Sequence, residues 1–297
     1  MNFRASKFLT AILVLVISWT GASLASAQTA ENVKSHPFEP SEELVMGVEF
    51  SRALLKNLDV AEFRFTSRRD PGQLTDVGAP SFLKLTGEVF SKGFFAKLFN
   101  LKFRESMESH VEPGTFTVHW SKRIDEQGKR LRVSEAVFAD GKVSWTEKDP
   151  NNPESAPRKA DATFSGQIQD VLSAIYFLRT QPLTPGKTLD VTISDSGRVY
   201  KIPVRVVEKK RFKTILGKVD AIRVDPGLFG PEGMMARNGH ISIWYTNDNR
   251  RIPVKARIKT EYGIFNVSLR KVSQTPEPQP YLTNASKPEQ KAPKLAP

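Results

Sequence analysis

The sequence predicts a mainly β fold: a strongly curved antiparallel sheet, or an open barrel or sandwich, of roughly a dozen strands with one short packed helix. Three observations predict it. Apolar and polar residues alternate in segment after segment between Leu44 and Val272, as half-buried strands require. Most of these segments are joined by short turns, which makes neighbouring strands antiparallel. At one place only, Ile168, Val171, Leu172, Ile175, Tyr176 and Leu178, the spacing becomes helical.

The first strand is set by Leu44, Met46, Val48 and Phe50, the second by Val60, Phe63 and Phe65, the third by Leu83, Leu85, Gly87 and Val89. An aromatic-rich insertion, Gly93 to Phe99, precedes a strand from Leu101 to Val111. Phe116, Val118 and Trp120 are expected on one face, Thr117 and His119 on the other. Gln127-Gly128 turns the chain into Leu131–Phe138, and Asp140-Gly141 is a hairpin signal leading to Val143 and Trp145. Asp149 to Lys159, with Pro150, Pro153 and Pro157, reads as an exposed loop.

The helix follows, and the fold is organised around it. Ser165 and Gly166 stand where an N-cap is wanted, and Pro182 and Pro185 stop the helix after about three turns. Leu172, Ile175 and Tyr176 are expected against the sheet. Asp170 and Arg179 fall near the helix ends, where an early acid and a late base complement the dipole. The alternative is that both point into a ligand cavity, paired or solvated. Leu189, Val191 and Ile193 then alternate. Asp195-Ser196-Gly197-Arg198 is a turn, and Pro203 in the next strand suggests an edge or a bulge. Further strands run over Val219–Val224, Ile241–Tyr245, Ile252–Ile258 and Ile264–Val272, with a Gly-rich loop from Asp225 to Asn238.

The chain ends carry different signals. Arg4 and Lys7, an apolar run from Phe8 to Trp19, and Ala25-Ser26-Ala27 form a secretory leader pattern, with cleavage expected after Ala27. The domain plan is therefore a leader over 1–27, a loose segment over 28–41, one β domain over 42–273 and a disordered Pro-rich tail over 274–297. The expected location is the periplasm or cell envelope, with no membrane span left after cleavage. The chain has no cysteine, which excludes disulfides and thiolate metal sites. Its formal charge of +12 becomes +10 without Arg4 and Lys7 (12 − 2 = 10), spread over a dispersed basic surface.

Gln169-Asp170-Val171-Leu172-Ser173-Ala174-Ile175-Tyr176-Phe177-Leu178-Arg179-Thr180, then Leu183 and Pro185-Gly186-Lys187, resembles the central signature of the domain-of-unknown-function 3108 family. Leu216 to Ile222 resembles the family's glycine-turn segment. Gly239 to Asp248 with Arg251-Ile252-Pro253-Val254 resembles its late tryptophan strand, and Phe103-Arg104-Glu105-Ser106 fits an earlier segment less tightly. The resemblance covers roughly Glu43 to Val272 and implies a β-rich exported envelope protein without agreed catalytic residues. Thr246-Asn247-Asp248 departs from the serine-aspartate turn usual there.

No catalytic, cofactor or metal site emerges from the residues. The four histidines, His36, His110, His119 and His240, lack ligand-spaced partners. Ser194 or Ser242 with His240 and Asp195 or Asp248 would need an elbow-type glycine pattern that is not there. Glu105 and Glu108 fall on opposite strand faces and read as solvated positions. Two groups remain. Phe94, Phe95, Leu98 and Phe99, with Tyr176, are candidates for lining an apolar cavity, or for capping the core. Lys209, Lys210, Arg211 and Lys213 are candidates for touching an anionic surface. The expected function is non-enzymatic binding of an amphipathic or envelope-derived ligand. The alternatives are a carboxylate-dependent hydrolase of envelope polysaccharide and an assembly factor acting through protein contacts. Expected partners are a lipid, a polysaccharide or an envelope protein, with no nucleic acid.

Overall fold

A computed structural model describes residues 36–70, 82–92, 103–230, 233–235 and 238–275. The leader, the segment 28–35, the insertion at 93–102 and the tail beyond 275 lie outside the described residues. The strands are β1 (Ser41–Arg52), β2 (Leu55–Asp70), β3 (Phe82–Ser91), β4 (Phe103–Glu112), β5 (Thr117–Gln127), β6 (Arg130–Ala139), β7 (Lys142–Lys148) and β8 (Arg158–Thr163). After β9 (Gln169–Asp170) comes the helix α1 (Val171–Thr180). Then follow β10 (Thr188–Asp195), β11 (Arg198–Thr214), β12 (Gly217–Pro226), β13 (Gly239–Thr246), β14 (Pro253–Thr260) and β15 (Gly263–Thr275).

All fifteen strands form one sheet in the order β8-β7-β6-β5-β4-β3-β2-β1-β15-β14-β13-β12-β11-β10-β9. Two antiparallel meanders, the second ending in β9 laid parallel to β10, are thus joined edge to edge by the β1–β15 pair, in which Leu44 faces Val272 and Val48 faces Val267. The sheet does not close into a barrel. Its two ends approach without pairing: a Cβ on Gly197, in the β10–β11 turn, would lie 2.6 Å from the Ala160 Cβ on β8. Between β8 and β9 the chain runs through exposed Ser165, Gly166 and Gln167 and turns inward at Ile168, with Val118 N donating to Ile168 O (3.2 Å) and the Gln169 side-chain amide donating to Phe116 O (2.5 Å).

The helix fills one part of the curl. Its face of Leu172 and Tyr176 packs with Phe38, Leu83, Leu85, Val111 and Phe116, all nearly inaccessible to water. Gly87 on β3 makes room for it; a Cβ there would stand 3.0 Å from a Leu172 methyl. Ala174 and Leu178 join a second cluster with Val191, Ile193, Ile202, Val204, Val224 and Tyr245.

Several expectations are corrected. The N-cap is Asp170, not Ser165 or Gly166: its carboxylate accepts from Ser173 N, and Ser173 Oγ in turn accepts from Asp170 N. Gly166 instead forms a turn with φ of +73°. Trp120 does not share a face with Val118. A bulge pairs Val111 with Val118 but His110 with Trp120, so Trp120 turns outward against the His110 ring, with centroids 4.7 Å apart. Pro203 lies neither on an edge strand nor at a bulge: β11 is interior, and Pro203 sits where the β12 ladder runs out, its carbonyl accepting from Gly227 N. Residues 36–40, expected to be loose, are packed, with Phe38 fully buried. The loop after Asp149 ends sooner than expected, in β8.

Candidate ligand-binding site

The helix leaves part of the interior unfilled. Its other face, Val171, Ala174, Ile175 and Leu178, forms one wall of a cavity of about 370 Å3. The opposite wall comes from Val191, Ile193 and Val204 on β10 and β11 and from Ile241 and Ile243 on β13. Leu228, Met234 and Met235 close it from the loop after β12. That loop is a tight return, with Met235 N donating to Leu228 O and Gly230 N to Met235 O. Its methionines are unbranched and polarizable, which suits a wall that accommodates varied apolar shapes.

Two further hollows follow, each sharing lining residues with the one before. Met234 and Met235 also border a compartment of about 640 Å3 that reaches Ile258, Tyr262 and Phe265. Those three in turn border one of about 550 Å3 lined by Val48, Phe50, Val60, Phe63, Val89 and Phe103. Each volume falls in the usual range for small-molecule sites, roughly 300–1,000 Å3. The passage meets solvent where Met235 (48% exposed), Tyr262 (51%) and Phe103 (37%) stand.

One end, itself partly open to solvent, is polar. Glu105, Arg123 and Asp195 lie on the wall of the 370 Å3 cavity. Arg123 reaches Glu105 at 3.0 Å and Asp195 at 3.4 Å, and so bridges β4 and β5 to β10. Burial works against the charged guanidinium, but the carboxylates of Glu105, Asp195 and Asp125 outweigh it and raise its pKa. Beside it, Asp170 is buried and accepts a 2.5 Å hydrogen bond from Ser109 Oγ as well as the cap bond from Ser173 N. Burial pushes its carboxyl up from the ordinary 3.8, against the lowering effect of these hydrogen bonds.

The sign of that shift makes a prediction. As pH rises past the unfolded value, the unfolded chain gives up the Asp170 proton while the native state keeps it, so stability falls through that window and stays lower above it. Asn at this position still caps a helix. Urea unfolding at about pH 3 and about pH 7 is therefore expected to show wild type losing ground to Asp170→Asn at the higher pH. A difference that is flat with pH would mean the carboxyl is not held up by burial.

A family model described as "Protein of unknown function (DUF3108)" matches residues 53–270. The chain belongs to the DUF3108 family. All the stretches that carry the sequence resemblance lie within or across this range. No curated protein matches. Among solved structures, the DUF3108 chain is similar to a beta-barrel-like protein of domain of unknown function DUF1849 from Brucella abortus. The two are 10% identical, with a TM-score of 0.51, covering 80% of this chain and 98% of that one. At that identity the likeness shows the fold alone.

Against this geometry the sequence-predicted residues separate. Phe94, Phe95, Leu98 and Phe99 lie outside the described residues. Tyr176, expected on a cavity wall, is on the packed side of α1 instead, its ring 5.0 Å from that of Phe38; Ile175, one residue away, lines the cavity. Lys209, Lys210, Arg211 and Lys213 are exposed along β11, where Arg211 is engaged by both oxygens of Asp220 (2.7 and 3.0 Å). Glu108 faces outward to Lys84 and His110, while Glu105, read as solvated, lines the cavity.

His240 does not assemble a serine–histidine–acid relay. Its Nε2 alone faces both Ser242 Oγ (3.1 Å) and Asp225 (3.3 Å), whereas a relay needs one partner on each ring nitrogen. Asp248 caps its own turn, accepting from Thr246 Oγ1 and from the backbone of Arg250 and Arg251. Among the described residues no group of three or more His, Asp or Glu could hold a metal ion.

Proposed function

We propose that this DUF3108 protein is exported to the cell envelope and binds an amphipathic ligand, its acyl chain lying in the interior passage. The supporting observation is the run of three adjoining apolar compartments that begins at a charged cluster and ends at exposed Met235, Tyr262 and Phe103. Apolar burial drives such binding at roughly 25 cal/mol per Å2. The leader pattern Arg4–Ala27 supports export. No helix among the described residues is long and apolar enough to cross a membrane.

The hydrolase reading has less support. Glu105 and Asp195 are both engaged by the same guanidinium, Arg123, at 3.0 and 3.4 Å, and do not form a free carboxylate pair across the cavity. The test is a titration with N-phenyl-1-naphthylamine, a neutral probe that fluoresces in apolar surroundings. Saturable binding, reversed by a monomeric lysophospholipid, is expected. A probe that shows no saturable signal, or that no acyl amphiphile displaces, would overturn the proposal.

A further inference from the structure

The apolar passage explains how an acyl chain is held but leaves open what its polar end meets. The residues at the polar end of the passage answer that. Arg123 and Asp195 line two compartments at once: the 370 Å3 apolar cavity, and beyond it a small recess of about 50 Å3 walled by Ser121, Ser134, Ser194 and Ser196. The surroundings therefore change from almost wholly aliphatic to mixed, with Lys122, Glu135 and Asp170 standing beside the serines and Trp145 and Phe138 completing the wall. This is where the head of a ligand sits if its tail follows the passage.

The charges select the head. One guanidinium and two carboxylates, Glu105 and Asp195, give the cluster a formal charge of −1, and Lys122 and Glu135, also on the recess wall, pair with each other at 3.1 Å and leave that sum unchanged. A purely anionic head meets net repulsion there. A purely cationic head must share both carboxylates with Arg123 and offers the guanidinium nothing. A head with both charges exchanges ion pairs with the cluster: its anion takes the Arg123 donors and its cation takes the carboxylates that Arg123 releases. The cluster is open enough for this, with side chains 39% (Arg123), 21% (Glu105) and 31% (Asp195) exposed. The contact to Asp195, at 3.4 Å, is the longer of the two and the easier to give up.

Resting on the acyl-binding reading above, we propose that the Glu105–Arg123–Asp195 cluster is a headgroup subsite for a zwitterionic amphiphile, of the phosphate-plus-ammonium kind. Arg123 binds the phosphate. Glu105 and Asp195 bind the ammonium. The serine hydroxyls of the recess hydrogen-bond whatever oxygens remain.

The experiment is displacement of N-phenyl-1-naphthylamine from the full mature chain by three monomeric amphiphiles of equal chain length: lysophosphatidylethanolamine, lysophosphatidylglycerol and the free fatty acid. The expected ranking puts the zwitterion first by about five- to tenfold, the worth of roughly one half-exposed ionic contact at ~1 kcal/mol. In Glu105→Gln with Asp195→Asn the zwitterion's advantage over lysophosphatidylglycerol is expected to vanish or reverse, with the probe's own affinity retained. If the double variant does not fold, the ranking on the wild-type protein decides alone. Displacement by all three at equal concentration, or best by an anionic head, would overturn the subsite while leaving acyl binding standing. Displacement by none would instead remove the acyl-binding reading.

Discussion

Replacing Arg179 by Met is expected to destabilise the protein by about 3–5 kcal/mol, the cost of stranding a buried charge. Arg179 and Glu42 have no solvent-exposed side-chain surface, and their two bonds measure 2.6 and 2.9 Å. The guanidinium also donates to the Arg250 carbonyl (3.2 and 3.0 Å) and lies over the Phe38 ring, 4.8 Å from its centroid. One side chain thus ties the last turn of α1 to β1 and to the turn between β13 and β14. In Arg179→Met the Glu42 carboxylate stays behind without its partner. Replacing both, with Glu42→Leu, removes that stranded charge and is expected to recover much of the loss. Urea unfolding of the two singles and the double closes the cycle. A single-variant loss under about 1 kcal/mol would mean the pair is not buried in solution.

The two faces of α1 are expected to respond differently to truncation. Leu172→Ala should cost about 2–5 kcal/mol, because Leu172 is 1% exposed and packed against Gly87 and Phe65, where a cavity cannot collapse. Ile175→Ala should cost about 1 kcal/mol, since Ile175 is half-buried and already borders open space, so truncation removes few contacts. Chemical unfolding measures both. Equal, large losses would mean that the cavity side of the helix is packed and the passage does not exist at that point.

The sequence announces what is local. Asp195-Ser196-Gly197-Arg198 and Asp140-Gly141 are tight hairpins with positive φ at both central residues, as their composition requires. The helix span follows from its period and its prolines, and the strand alternation carries most of the sheet. The cap at Asp170 was also legible in principle, because Asp170 and Ser173 have capping-box spacing, though Ser stands where Glu or Gln is usual. Long-range partners leave no such trace. Arg179 and Glu42 are 137 residues apart, so Arg179 reads only as a base suited to the helix dipole. Glu105 and Arg123 are diagonal neighbours across the β4–β5 ladder, where Glu105 pairs with Asp125 and Met107 with Arg123. Asp195 joins them only because the sheet curls. Trp120 faces outward because of one bulge, which no alternation pattern reveals.

The most direct test of the interior passage is the N-phenyl-1-naphthylamine titration repeated on Ile241→Trp. Ile241 lies on the β13 wall opposite α1, so an indole there fills the middle of the 370 Å3 cavity without touching Arg179 or Leu172. The account predicts a melting temperature close to wild type and at least about tenfold weaker binding of the probe, or ~1.4 kcal/mol. A folded Ile241→Trp protein that binds the probe as tightly as wild type would contradict it, because the ligand would then lie outside the 370 Å3 cavity beside α1.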